Sequence, residues 1–96
     1  MEPAHRVARR GHTAILRATE AIQLNDQNDE AYWVRGGSFM RIALDVSQYE
    51  LALQDYQKAN SIDPRWRVLT KPIIESLQMA INRVIHRPSP LNRTPR

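Results

Sequence analysis

Residues 31–39 read AYWVRGGSF, and residues 49–64 read YELALQDYQKANSIDP. Apolar and small residues recur at spacings of three and four in both stretches, which is the period of an amphipathic helix. Between them, Ser47 and Glu50 have the spacing of a capping box, in which the serine accepts from the glutamate amide and the glutamate reaches back. The pattern predicts two helices joined by a turn, the second beginning at Ser47 and ending before Pro64.

Seven positions in these two helices carry side chains that a known repeat family requires. They are Tyr32, Gly36, Phe39, Ala52, Tyr56, Ala59 and Pro64. Small residues let two helix backbones approach closely, aromatic residues fill the remaining volume, and proline ends the second helix. The stretch resembles one tetratricopeptide repeat (TPR), a helix–turn–helix unit of about 34 residues. The resemblance implies an all-α fold of about four antiparallel helices, forming a short right-handed superhelical fragment.

The stretch departs from the family pattern in two places. Arg35 stands where the family has a large apolar residue, so we expect its methylenes to lie on apolar surface and its head to stay in water. The segment between the two helices is four residues longer than in the family. Four residues are close to one helical turn, so we expect residues 42–44 to extend the first helix of the repeat.

A weaker half-repeat precedes the matched one. Ala14, Ala18 and Ala21 are followed by Ile22 and Leu24 in the pattern of a second repeat helix. Ala14 and Ala21 fall on that helix's small-residue positions. The first repeat is therefore predicted to be truncated. The periodicity leaves two starts open for its helix, near residue 4 or near residue 12.

The predicted domain organisation has three parts. They are a weakly ordered basic N-terminus (1–11), a TPR-like helical domain (12–86) with its best repeat at 29–64 and a capping helix at 71–86, and a disordered basic proline-rich tail (87–96). Thr70 is the predicted N-cap of the capping helix, and Pro72 is expected in its first turn.

The net charge of +4 is unevenly distributed. Residues 13–64 carry four basic and eight acidic groups, whereas residues 65–96 carry seven basic groups and one acidic group. The basic ends have two interpretations. They are either a solvated surface and tail, or the part of the protein that binds nucleic acid or an acidic partner. The acidic middle argues against nucleic acid. The sequence has no cysteine and no apolar run of the length that a membrane span needs.

No arrangement of residues predicts catalysis. A glycine-rich phosphate loop is missing, and His5, His12 and His86 are too far apart in sequence for ligand spacing. We therefore predict no enzyme, no catalytic residue, no cofactor and no metal.

The TPR resemblance implies that the first helix of the repeat lines a concave groove. Its groove-facing positions are Glu30, Trp33, Val34, Gly37, Met40 and Arg41. The residues themselves leave an alternative, because the stripe containing Trp33 and Met40 could equally be covered by the first and last helices.

The predicted function is a protein–protein interaction module that binds a peptide or an amphipathic helix, as a cytoplasmic scaffold, adaptor or co-chaperone. Because stacked repeats usually need three or more units for stability, we also expect self-association or an obligate partner. The alternatives are a small basic helical protein that associates with nucleic acid, and a truncated remnant of a longer repeat protein.

Overall fold

The computed structural model describes residues 4–85, with side chains from residue 9 onward. Its elements are α1 (Ala4–Leu24), α2 (Asp29–Arg41), α3 (Val46–Ile62), a 3-10 helix (Pro64–Trp66) and α4 (Arg67–Ile85). Each helix packs against the next one along the chain. The predicted all-α fold is confirmed. The predicted tail at 87–96 lies outside the described residues, and the domain boundaries stay predictions.

Helix α1 begins at Ala4, the earlier of the two possible starts, and passes through Gly11 without a break. Gly11 is buried, and a Cβ built on it would overlap the Cγ2 atom of Ile42. The absence of a side chain at Gly11 therefore allows α1 to lie directly against the segment that follows α2.

Helix α2 begins at Asp29, where the predicted repeat begins, and ends earlier than predicted. Asn28 is its N-cap, accepting from the amide of Ala31 at 3.1 Å. The predicted extra turn at residues 42–44 is wrong, because α2 ends at Arg41 and residues 42–45 form a loop. The amides of Leu44 and Asp45 donate to the side-chain oxygen of Gln48. These two bonds draw the chain away from the helical path.

Helix α3 has a capping box, two residues earlier than the sequence pattern predicts. Asp45 is the N-cap and Gln48 is its reciprocal partner, so the predicted pair of Ser47 and Glu50 is wrong. The amide of Ser47 donates to Asp45 at 2.8 Å. The hydrogen bonds to Asp45 lower the pKa of its carboxyl group, the Ser47 hydroxyl contributing most. A carboxylate is favourable at this end of the helix dipole, which explains the choice of cap.

Helix α4 begins at Arg67, four residues before the predicted start. The predicted cap Thr70 is instead fully buried, and its hydroxyl donates to the side chain of Asn60 at 2.7 Å. Pro72 lies beyond the first turn, so the carbonyl of Val68 lacks its usual amide donor. The 3-10 helix before Arg67 leads directly into α4, which explains why the start is earlier than the threonine signal.

The core is formed mainly between α3 and its two neighbours. Ala52, Tyr56 and Leu77 are its buried centre. Partly buried residues from α2, α3 and α4 surround that centre, namely Trp33, Phe39, Met40, Tyr49, Leu53, Ile73 and Ile74. The sequence period places Tyr49, Ala52, Leu53, Tyr56 and Ala59 on one face of α3. This prediction is confirmed, because Ala52, Tyr56 and Ala59 are buried and Tyr49 and Leu53 pack around the core. By contrast, α1 contacts α2 alone among the described helices.

Candidate partner-binding groove

Helix α2 has two differently packed faces. One face is directed at α3 and the 3-10 helix and contains Trp33, Gly36 and Met40; we call it the closed face. The other is directed at α1 and contains Ala31 and Val34; we call it the open face. The six predicted site residues are divided between these faces and the end of the helix.

An ion pair joins the closed face to α3. The guanidinium of Arg35 forms two parallel hydrogen bonds with the carboxylate of Asp55, each 2.9 Å long. Its third nitrogen donates to the hydroxyl of Thr19 on α1 at 3.2 Å. Asp55 is 4% exposed. The hydrogen bond to Asp55 raises the pKa of Arg35, against the effect of its partial burial. The expectation that the head of Arg35 stays in water is wrong, because a buried carboxylate holds it between three helices.

Aromatic rings form a layer beside this ion pair. The ring of Trp33 is stacked on that of Trp66 at 5.0 Å and lies 5.3 Å from Tyr56 in a tilted arrangement. The indole nitrogen of Trp66 donates to Asp29 at 2.6 Å. The hydroxyl of Tyr56 donates to the sulfur of Met40 at 3.5 Å, and burial raises the pKa of this hydroxyl. The two ends of the repeat are therefore linked by ring contacts at the 3-10 helix.

Gly36 lies where α2 and α3 approach most closely. A Cβ built on it would be 3.2 Å from the Tyr56 ring and 3.3 Å from the carbonyl oxygen of Ala52. A Cβ on Gly37 would be in ordinary contact, 3.5 Å from the Tyr56 hydroxyl. The close approach predicted at Gly36 is present, and no comparable crowding explains Gly37.

The open face borders a groove between α1 and α2 with a volume of about 550 Å³. Small apolar side chains form its floor. They are Ala14, Ala18, Ala21, Ala31 and Val34. Exposed charged residues of both signs lie along its edges, with Arg9 and Arg17 on α1 and Glu30 on α2. We call this feature the α1–α2 groove.

The structure brings only part of the predicted site to this groove. Glu30 and Val34 line it, whereas Trp33, Gly37 and Met40 lie on the closed face, where Trp33 and Met40 pack around the core. Arg41 is exposed at the end of α2. A partner-binding role for these last four residues stays a prediction.

Sequence reasoning did not include the α1 side of the groove. The sequence does contain a signal for it, because four residues of α1 are spaced by three or four and so share one helix face. They are Arg10, Ala14, Arg17 and Ala21.

One human protein in the curated set is similar to part of this chain. Tetratricopeptide repeat protein 28 is 38% identical to it over 55 residues, which is 57% of this chain and 2% of that protein. No family model matches the chain. No solved structure matches it significantly. The similarity supports a TPR-like repeat, and the packed helix pairs agree with an all-α helical repeat.

Over residues 4–85, no helix combines the length and the apolar character that crossing a membrane requires.

Proposed function

We propose that this protein is a non-enzymatic interaction module that binds an amphipathic helix or peptide of another protein in the α1–α2 groove, as a scaffold, adaptor or co-chaperone does. The observation that carries the proposal is the groove itself. Its floor is apolar and its edges are charged, which is the usual composition of a site that binds one face of a helix.

The size of the groove fits this ligand class. A volume of about 550 Å³ accommodates several side chains of a helix laid along the groove. The floor residues are small, so a partner backbone can approach closely and contribute the larger side chains. The name of the similar human protein supports a repeat module of the interaction type. A helix bound here would contact both α1 and α2 and so stabilise their packing.

A capture experiment with matched variants tests the proposal. Val34 and Leu51 are 42% and 41% exposed, and only Val34 lines the groove. We expect the natural protein and Leu51→Glu to retain the same protein from a nuclease-treated lysate, and Val34→Glu to lose it. Circular dichroism melts of all three forms establish that each is folded. Met40→Glu is a poorer probe, because Met40 packs around the core.

The other outcomes contradict the proposal in different ways. Retention that Val34→Glu does not change would place binding outside this groove. If no protein is retained and nucleic acid is recovered once nuclease is omitted, the basic surface is the functional one. Such binding would weaken steeply with salt. A measured mass of two or more chains for the natural protein, reduced by Val34→Glu, would make a second copy the ligand.

A further inference from the structure

The chemistry of the ligand follows from a comparison within the chain, and this inference rests on the proposed function. Helices α1 and α3 share a pattern of small residues in one register. Ala14 and Ala21 of α1 correspond to Ala52 and Ala59 of α3. At the same offset, Arg17 corresponds to Asp55 and Ala18 corresponds to Tyr56. Each of these helices packs against the helix that follows it, α1 on α2 and α3 on α4.

The corresponding surface of α3 already holds another helix. Helix α2 packs on α3, where Ala52, Asp55, Tyr56 and Ala59 are at most 4% exposed. The corresponding residues of α1 line the α1–α2 groove, where Ala14 and Ala21 are half-buried and Arg17 is exposed. The α1–α2 groove is thus the counterpart of the surface that α2 covers, without a helix on it in the described chain.

The two surfaces have opposite charge at the corresponding position. Asp55 is neutralised by Arg35, which the covering helix α2 supplies. Arg17 presents the reverse charge, and Arg9 lies on the same edge of the groove. A covering helix with an arginine would be repelled here, whereas one with a carboxylate would form the same type of charge-assisted pair.

The two surfaces also differ in bulk. Tyr56 fills the space beneath α2, and its ring is 3.2 Å from the place that a Cβ on Gly36 would occupy. Ala18 has no such ring. It lies at the floor of the groove and is only 5% exposed, so any bulk above it has to come from the ligand. We infer that the α1–α2 groove receives an α-helix of a partner protein that places a carboxylate opposite Arg17 and a bulky apolar side chain over Ala18.

Segments of this chain fit the groove less well. Residues 87–96 contain three prolines and three arginines with no acidic residue, a composition that neither favours a helix nor complements the charge of Arg17. Helix α4 of a second copy carries three basic groups and one acidic group, Glu75. Both would bring like charges to the arginine edge.

Two peptides derived from α2 test the inference. One has the sequence of residues 28–42, and the other differs from it only by Arg35→Glu. Both carry Gly36→Leu, which supplies a bulky side chain over Ala18. Both also carry Val34→Lys joined to Glu30 by a lactam, which holds the helix from the face that points away from the groove. Each is titrated by fluorescence anisotropy into the natural protein and into Arg17→Asp, a change at an exposed position.

We expect the Arg35→Glu peptide to bind the natural protein about tenfold more tightly than the unchanged peptide, because a charge-assisted pair is gained. Arg17→Asp should reverse this preference, since it restores the charges found at Asp55. Equal affinities in all four combinations would overturn the inference, and so would the absence of binding by either peptide at about 1 mM.

Failure here is distinguishable from failure of the proposed function. A lysate protein that is lost with Val34→Glu and kept with Arg17→Asp would leave the binding groove in place and remove the acidic helix as its ligand.

Discussion

The two faces of α2 differ in how closely they pack against the neighbouring helices. The closed face is matched to α3 in shape and charge, with Gly36 against Tyr56 and Arg35 against Asp55. The open face is separated from α1 by the α1–α2 groove, whose floor is formed by small apolar side chains. The same helix is therefore a core element on one side and one wall of the α1–α2 groove on the other. The difference lies in two side chains of α3, Asp55 and Tyr56, whose counterparts on α1 are Arg17 and Ala18.

The largest effect should come from breaking the ion pair of the closed face. Arg35→Met leaves the buried carboxylate of Asp55 without its cation, which costs about 3–5 kcal/mol of unfolding free energy. Domains of this size are stable by only about 5–15 kcal/mol, so the variant should unfold at much lower urea concentration. The double variant Arg35→Met/Asp55→Leu is the control, and it should regain most of the loss. A loss below about 1 kcal/mol for the single variant would show that the pair does not hold the closed face together.

A smaller contrast is expected between adjacent residues on the two faces. Trp33→Ala removes a ring that contacts Tyr56 and Trp66, and should cost about 2–3 kcal/mol, less than for a fully buried ring. Val34→Ala, on the open face, should change the unfolding free energy by less than about 0.5 kcal/mol. Urea unfolding followed by circular dichroism measures both without relying on tryptophan fluorescence. Similar losses for the two variants would mean that the open face is as tightly packed as the closed one.

The finest contrast is between the two adjacent glycines. Gly36→Ala gains helix propensity but forces a methyl against the Ala52 carbonyl and the Tyr56 ring, so we expect a net loss of about 1 kcal/mol. Gly37→Ala meets only ordinary contact and should gain about 0.5–1 kcal/mol. Thermal melts of the two variants measure these shifts. A gain for Gly36→Ala would show that α2 and α3 can separate by a few tenths of an ångström without cost.

Local pattern was sufficient for the elements whose signals lie within one turn of helix. The buried stripe of α3 and the all-α architecture depend on spacings of three and four residues, which the sequence displays directly. The cap of α3 was misplaced because Asp45 and Ser47 both have a partner three residues on. Only the path of the loop before α3 decides which of the two residues is the N-cap.

The site was harder to predict because its halves lie on different helices. Arg35 was expected to reach water, since the carboxylate that holds it is twenty residues away on another helix. The α1 side of the groove was missed for the same reason, because Arg17 and Val34 become neighbours only when α1 packs on α2. Conversely, Trp33 and Met40 have the spacing of a ligand-facing stripe, yet they pack around the core.

The contacts of α1 also shape the way the molecule opens. Because α1 touches α2 alone among the described helices, it can separate while α2, α3 and α4 stay folded together. The amide hydrogens of α1 would then exchange with solvent through a partial opening of low free energy. Those of α3 would exchange only on global unfolding. A helix bound in the groove would close that opening. Slower hydrogen exchange in α1 would therefore show that the α1–α2 groove is occupied.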